Sequence, residues 1–324
     1  MNGLYESAGF DPTVNLAIEE ALLLSGAQVP ALFLWQNAHT VVIGRGQNAW
    51  KECRVDALRE AGGTLVRRTT GGGAVYHDLG NLNFSFVMPK TLYDIARQLG
   101  VIRRAVAAFG VEAEASGRND IVLKASEAKF SGNAFRRTQQ AALHHGTLLV
   151  DVDMENLGRF LAPSQAKLAA KGVQSVRARV ENLAAHVPGI TIPALKQALF
   201  DAFVQAYGPA EMRDWQTALD PALMAELTEK YRSWDWTFGT TPAFDITLME
   251  RFAWGQAELM LSLRRGVVTD ARCYTDANDP ELAERVAQAL IGSPFTPQDL
   301  AARLGQAEGA EMQDLAQWLA EVRV

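Results

Sequence analysis

Apolar residues recur along the chain with two periods, and their alternation predicts a mixed α/β architecture. Asp11-Pro12 reads as a helix N-cap followed by proline in the first turn, with Val14, Ile18 and Leu22 on the buried stripe. Ala31-Leu32-Phe33-Leu34-Trp35 is a continuous apolar run, as expected of a buried strand, and Thr40-Val41-Val42-Ile43 is a second. Turn residues Gln36-Asn37-Ala38-His39 lie between them, so the pair is expected to form a hairpin. Trp50 to Ala61 reads as one helix stopping at Gly62-Gly63, and Thr64-Leu65-Val66-Arg67 as a strand. From Asn81 to Met88 the pattern switches to strict alternation, with Leu82, Phe84, Phe86 and Met88 on one face.

Thr91 to Phe109 carries the clearest helical stripe, Ile95, Leu99, Ile102, Val106 and Phe109, and Gly110 is its stop signal. Asp120 to Leu123 and Gly146 to Val150 read as strands, and Leu195 to Tyr207 as a helix. Lys167 to Val180 is basic and poorly periodic, which predicts a mobile loop. Trp234-Asp235-Trp236-Thr237-Phe238-Gly239 breaks the pattern, so a domain boundary is expected shortly after it, dividing residues 1–243 (core about 27–210) from residues 244–324. Beyond it a hairpin is expected from Gln256 to Leu263 and Val267 to Tyr274, followed by two helices carrying Leu282, Val286, Leu290 and Met312, Leu315, Leu319, Val322.

Composition narrows the function. Of 324 residues, 48% are hydrophobic and 21% charged, which suits a water-soluble protein of one large and one small domain. No apolar run is long enough to span a bilayer, and Met1 to Glu6 lacks the basic and apolar regions of a secretory leader, so a cytoplasmic monomer is expected. A net charge of −6 argues against nucleic-acid binding through the overall field, so any polyanion must meet a local basic cluster. Two distant cysteines, Cys53 and Cys273, offer neither a disulfide framework nor metal-ligand spacing.

The basic clusters stand beside glycine. Gly44-Arg45-Gly46-Gln47-Asn48-Ala49, after a strand and before a helix, matches the dinucleotide fingerprint, but its expected hairpin and the lack of repeated strand–helix alternation weigh against that reading. Arg67-Arg68-Thr69-Thr70-Gly71-Gly72-Gly73 lies between strands, which excludes a P-loop. Consecutive glycines can turn backbone N–H groups toward an anion, and arginine suits phosphate; because strand residues alternate, one arginine of the pair is expected to face the ligand. A flexible hairpin tip with solvated arginines fits the same composition. Lys129 precedes Ser131-Gly132, small residues that allow close approach to a ligand, with Lys124 as a competing lysine. His144-His145 precede a strand and point two ways.

Taken in order, Thr40 to Asn48, Arg67 to Asn81, Gly117-Arg118-Asn119-Asp120, Lys129-x-Ser131-Gly132-x-Ala134, His144-His145-Gly146-Thr147-Leu148-Leu149 and Lys171-Gly172-Val173-x-Ser175-Val176-Arg177 resemble the lipoate–protein ligases of the long bacterial type. The resemblance spans nearly the whole chain, with a departure at Ala125-Ser126-Glu127-Ala128. It implies an α/β (α+β) fold like that of biotin ligases and class II aminoacyl-tRNA synthetases, a mixed sheet flanked by helices, plus a small α/β C-terminal accessory domain. It implies that Arg68, Gly73, Ala74, Val75 and Tyr76 contact ATP with Arg67 nearby. Lys129 would touch nucleotide and lipoate as the catalytic residue, and Trp35, Gly44, Arg45 and His77 would surround lipoate. Asn119 and Asp120 would lie near the phosphates, Asp120 as a ligand of Mg²⁺, and Lys167 to Asn182 would close over the adenylate. The implied acceptors are lipoyl domains of 2-oxoacid dehydrogenases and the glycine-cleavage H protein. The rivals are an ATP-independent octanoyl or lipoyl transferase, which needs a cysteine where this chain reads Leu161-Ala162-Pro163-Ser164, and a non-catalytic lipoate-binding regulator.

Overall fold

The strands of the first part of the chain are β1 (Asn2–Glu6), β2 (Ala31–Trp35), β3 (Thr40–Ile43), β4 (Thr64–Arg67), β5 (Val75–His77), β6 (Asn81–Pro89), β7 (Ala113–Ser116), β8 (Asp120–Leu123), β9 (Lys129–Arg137), β10 (Ala141–Leu149) and β11 (Ala210–Met212). The computed structural model describes residues 1–117, 119–161, 180–238, 246–264 and 266–322, and of Trp50 and Lys51 the backbone alone. Eight strands form a mixed sheet in the order β11-β1-β2-β6-β10-β9-β8-β7, and β4-β3-β5 form a second, three-stranded sheet.

The period-two pattern divides the large sheet's faces between two cores. Leu32, Leu34, Leu82, Phe84, Phe86 and Leu148 pack with Ile102 and Val106 of the Ile95–Ala107 helix and with Leu195, Leu199 and Phe203 of the Ile192–Tyr207 helix. Phe33, Trp35, Val87 and Leu143 point the other way, against Leu16, Ile18 and Leu23 of the Pro12–Leu24 helix and Leu227 and Tyr231 of the Pro221–Arg232 helix. Each such large apolar side chain contributes roughly 1.5–3 kcal/mol by leaving water. Asp11 caps the first helix through Thr13 N, with Pro12 in its first turn.

Several sequence expectations need correction. β2 and β3 do not form a hairpin: β2 pairs with β1 and β6, whereas β3 pairs with β4 in parallel and β5 antiparallel. The chain between them, residues 36–39, instead crosses from one sheet to the other, with Asn37 buried and His39 at φ 33°. The single helix expected over Trp50 to Ala61 is two short ones, Ala49–Glu52 and Val55–Glu60, broken where Cys53 bridges to Leu161. The helix expected from Thr91 begins at Ile95, because Asp94 caps it and Lys90–Leu92 is a 3₁₀ turn. His144 and His145 lie inside β10.

After the Trp234–Thr237 helix the chain builds an antiparallel sheet of β12 (Ile246–Phe252), β13 (Gly255–Arg264) and β14 (Val267–Thr275). Helices Leu282–Leu290, Pro297–Gly305 and Ala310–Glu321 share a core with it through Leu259, Leu261, Val286, Leu300 and Leu315. The expected hairpin and two helices are present; β12 and the Pro297–Gly305 helix, which Thr296 caps and which buries Leu300 and Leu304 one turn apart, were not among the expected elements. The expected boundary at residue 243 lies outside the described residues. This C-terminal domain meets the first through backbone hydrogen bonds: Thr275 N–H donates to Gly46 O at 2.5 Å and Gly72 N–H to Ala277 O at 2.7 Å.

Candidate active site

A slot opens between the two sheets of the first domain. The large sheet supplies Trp35, Asn83, Gly132, Asn133, Ala134, His145, Gly146 and Thr147, and the small sheet and its loop supply Val42, Arg68, Gly73, Ala74, Val75 and His77. Leu16 closes one side, and Asn119 and Lys129 stand on its wall.

Lys129 owes its placement to a bulge. Residues 129 and 132 are an odd number apart, which on a regular strand would put them on opposite faces. Between β8 and β9 the register shifts: Ile121 faces Ser131 but Val122 faces Lys129, leaving Phe130 as the extra residue. Lys129 and Gly132 therefore share the slot face. The ammonium lies over Gly132, where an added Cβ would stand 2.8 Å from Nζ. Lys129 Nζ pairs with Asp120 Oδ1 at 2.6 Å, and both side chains remain partly exposed. Glu181 N–H donates to Lys129 O, so the chain returns to Lys129 directly after the stretch 162–179. Most of the loop expected to close over the adenylate, Lys167 to Asn182, lies outside the described residues. Lys124, the competing lysine, pairs with Glu112 and lies outside the slot.

The two arginines before the glycines have opposite positions and similar work. Arg68 is buried in the slot wall and donates to Gly71 O (2.6 Å), Gly73 O (2.8 Å), Val42 O (3.2 Å) and Thr70 Oγ1 (2.9 Å). It thereby turns the loop's carbonyls inward onto itself. Arg67 faces away, and its guanidinium gathers the carbonyls of Gly44, Arg45, Gln47, Trp236 and Thr237. Burial lowers both guanidinium pKa values to about 10, which still leaves them charged at neutral pH. Neither arginine is the solvated tip residue that the composition also allowed.

A buried polar chain backs the loop. Glu19 Oε1 accepts from Ser85 Oγ at 2.5 Å and contacts His145 Nδ1 at 2.7 Å, and His145 Nε2 meets Thr70 Oγ1 at 2.8 Å. Trp35 Nε1 donates to the same Ser85. His144 points into the opposite core between Gln98 and Asn133, and burial pushes its pKa down to about 3. Glu19 and Asn83 were not among the residues expected at the site, and Thr147 entered only as part of the His144–Leu149 motif; the one available signal for Glu19 was the pair of acids, Glu19-Glu20, inside an apolar helix.

Other expected site residues fall elsewhere. Gly44 packs beneath the glycine loop, where an added Cβ would stand 2.1 Å from Gly72 O. That close approach explains one glycine of the dinucleotide-like fingerprint, and contact with the C-terminal domain explains Gly46. β3 is not the arm of a hairpin that weighed against a nucleotide-binding turn there: it and β4 are parallel neighbours joined through two short helices. Arg45 borders a separate cavity between the domains and pairs with Glu284 at 3.4 Å. The Tyr76 side chain points away from the slot to His39 and Phe160. Asp120 and Asn119 stand at the Lys129 end, Asn119 held by its bond to Asn133 O at 2.8 Å. Among the described residues no three His, Cys, Asp or Glu side chains converge as a metal site.

The chain matches two family models: the lipoyl protein ligase A/B catalytic domain over residues 11–204, and the bacterial lipoate protein ligase C-terminus over residues 241–319. P. falciparum LipL1, solved in complex with lipoate, is 26% identical with TM-score 0.86, covering 99% of this chain and 100% of that one. A T. acidophilum protein with bound lipoic acid is 28% identical with TM-score 0.63, covering 74% of this chain and 100% of that one. A lipoate-protein ligase A bound with ATP is 28% identical with TM-score 0.61, covering 74% of this chain and 99% of that one. This chain belongs to the lipoate–protein ligase family and is a ligase enzyme with the mixed-sheet fold of those structures.

Proposed function

We propose that the chain activates lipoate with ATP and passes the lipoyl group to a lysine of an acceptor protein. The observation that carries this is that Lys129 and the Gly71–Gly73 loop border one slot. In the first step a lipoate carboxylate oxygen attacks the α-phosphorus of ATP. The bond to the leaving phosphates breaks, giving lipoyl-AMP and pyrophosphate. In the second, the acceptor lysine's amine attacks the acyl carbon, an amide forms and AMP leaves. The Lys129 ammonium offsets negative charge on the carboxylate and phosphoryl oxygens as they meet, and is not itself acylated. Gly73, Ala74 and Val75 line the slot beside Arg68, and with the Tyr76 backbone they form the nucleotide side. Trp35 and His77 belong to the acyl side.

Mg²⁺ neutralises charge on a bound triphosphate, and it commonly takes one or two carboxylates with the rest from phosphates and water. Asp120, the carboxylate paired with Lys129, fits that demand. The acceptor is a lipoyl domain of a 2-oxoacid dehydrogenase or the glycine-cleavage H protein; a T. acidophilum bi-partite lipoate protein ligase that resembles this chain (29% identity, TM-score 0.65) belongs to one archaeal lipoylation system with its E2 lipoyl domain. A cysteine-dependent transferase fits poorly. Cys53 and Cys273 are buried away from the slot, and burial raises their thiols to about 11 and about 12.

The test is an omission series. The purified protein is given a lipoyl-domain acceptor, lipoate and ATP, and each is withheld in turn. Acceptor modification that needs all of them is expected. Modification from an acyl-carrier donor without ATP would establish the transferase instead, and lipoate binding without modification a regulator.

A further inference from the structure

Glu19 is an acid inside an apolar helix, with 1% of its surface exposed. A buried carboxylate is destabilising unless its oxygens are bonded, and here the partners come from the large sheet. Ser85 of β6 and His145 of β10 stand opposite each other in register, and Glu19 Oε1 accepts from Ser85 Oγ and from His145 Nδ1. The direction of each bond follows from the chemistry of its atoms. Trp35 Nε1 can only donate, so Ser85 Oγ accepts from it and passes its own hydrogen to Glu19. A carboxylate oxygen accepts, so the His145 hydrogen is on Nδ1, and Nε2 is left to accept from the Thr70 hydroxyl at 2.8 Å. Thr70 Oγ1 in turn accepts from Arg68 Nε at 2.9 Å.

This chain of bonds crosses the join between the sheets. Arg68 and Thr70 follow β4 of the small sheet, Ser85 and His145 lie in the large one, and the two sheets share no strand. Arg68 is the far end of the chain and the hub of the glycine loop, because its guanidinium holds Gly71 O and Gly73 O. The position of Arg68 therefore sets the position of the loop. Burial lowers the Arg68 pKa to about 10, and the charge of Glu19 works against that shift. The acid and the arginine are thus the two charged ends of one buried chain, with His145 and Thr70 between them. Glu19 does not itself line the slot, so it acts only through these neighbours.

We propose that Glu19 is a positioning residue for the nucleotide: through His145 and Thr70 it sets Arg68 and the glycine loop at the distance from the large sheet at which ATP is received. This rests on the ligase reading and deepens it. Removing the carboxylate leaves His145 Nδ1–H without its acceptor, frees the ring to turn, and lets the Thr70 hydroxyl and Arg68 follow. A side chain that served stability alone would act on the fraction of folded enzyme. That lowers the apparent kcat and leaves the KM of the folded molecules as it was. A displaced glycine loop weakens ATP binding instead.

Lipoate-dependent pyrophosphate exchange is followed at varied ATP for the wild type, Glu19→Met, Thr70→Val and the double variant. Each single variant is expected to raise the KM for ATP about tenfold. The double variant is expected to rise about tenfold as well, in place of the roughly hundredfold of two independent losses, because one chain is cut twice. Glu19→Gln keeps the acceptor oxygen and gives up the charge, so a smaller rise of about threefold is expected. It replaces Glu19→Met, alone and beside Thr70→Val, if circular dichroism shows that variant unfolded. An ATP KM unchanged in the folded Glu19 variant, or losses that multiply in the double variant, would overturn this inference alone. Failure of the wild type to activate lipoate would overturn the ligase reading, and this inference with it.

Discussion

Lys129 and Asp120 face each other at the mouth of the slot, Nζ to Oδ1 2.6 Å, and the lysine stem lies against the bare Cα of Gly132. The ammonium is thus held by a carboxylate on one side and by a missing methyl on the other. Lys129→Ala is expected to abolish lipoate-dependent ATP–pyrophosphate exchange, a loss of at least about a hundredfold. Gly132→Ala places a methyl 2.8 Å from Nζ and 2.9 Å from Cε, so the side chain must move. It should lower exchange about tenfold or more while shifting the melting temperature little, because that lysine is the flexible partner in the clash. Full exchange in Lys129→Ala would remove the lysine from the mechanism.

Gly71 tests the docking of the C-terminal domain. A Cβ there would stand 2.3 Å from Ala277 O and 2.5 Å from Asn278 O, both backbone atoms that cannot turn aside. Gly71→Ala is expected to lift the 275–278 segment and break the Gly72 to Ala277 hydrogen bond. Faster proteolysis between the domains, with the two domain fragments each still resistant, would record this; an unchanged digestion pattern would count against it.

Arg67 satisfies the carbonyls of Gly44, Arg45, Gln47, Trp236 and Thr237 with one guanidinium, and Trp236 Nε1 returns a bond to Arg67 O at 2.8 Å. Replacement by methionine fills similar space but leaves those acceptors unpaired. Urea unfolding should show a loss of about 3 kcal/mol or more. Arg67→Lys should recover only part, since an ammonium cannot fork across so many partners.

His77 and His144 give the fold an acid limit. Burial lowers each from 6.5 to about 3. Below the ordinary histidine range the unfolded chain binds protons that the folded chain refuses, so stability falls as pH drops from 6.5 toward 3 and is fully present above that window. Each ring contributes a slope of about 1.4 kcal/mol per pH unit. Urea midpoints measured from roughly pH 7 down to pH 5 should decline, and His144→Gln should flatten the slope by about half. A slope that the substitution leaves unchanged would place the acid sensitivity elsewhere.

Much of the fold was legible because the strands repeat a simple alternation. β6 reads Leu82, Phe84, Phe86, Met88 on one face, and the structure buries all four there. Pairing was less legible. β2 and β3 are separated by turn residues, and local sequence favours a hairpin, but tertiary packing sends them to different sheets. The glycine loop and Lys129 stood out through ordered motifs. The residues that hold them did not: Glu19 lies in an apolar helix, and Thr70 and Ser85 are small and common. Their roles arise from contacts between segments far apart in sequence, Glu19 to His145 and Thr70 to His145, which periodicity does not encode. Lys129's orientation depended on a bulge at Phe130, and a bulge adds a residue without altering the composition around it.

The slot runs along a seam between two sheets that share no strand. Its width is therefore not quantised by the hydrogen-bond ladder, as a gap within one sheet would be. It is set by the sizes of Trp35, Val42, Val75 and Ala134 meeting across the join. Substitutions at those positions can widen or narrow the gap while every backbone pairing stays in register. The slot's width is thus a dimension that single residues can tune, built into a framework that need not be rebuilt to do so.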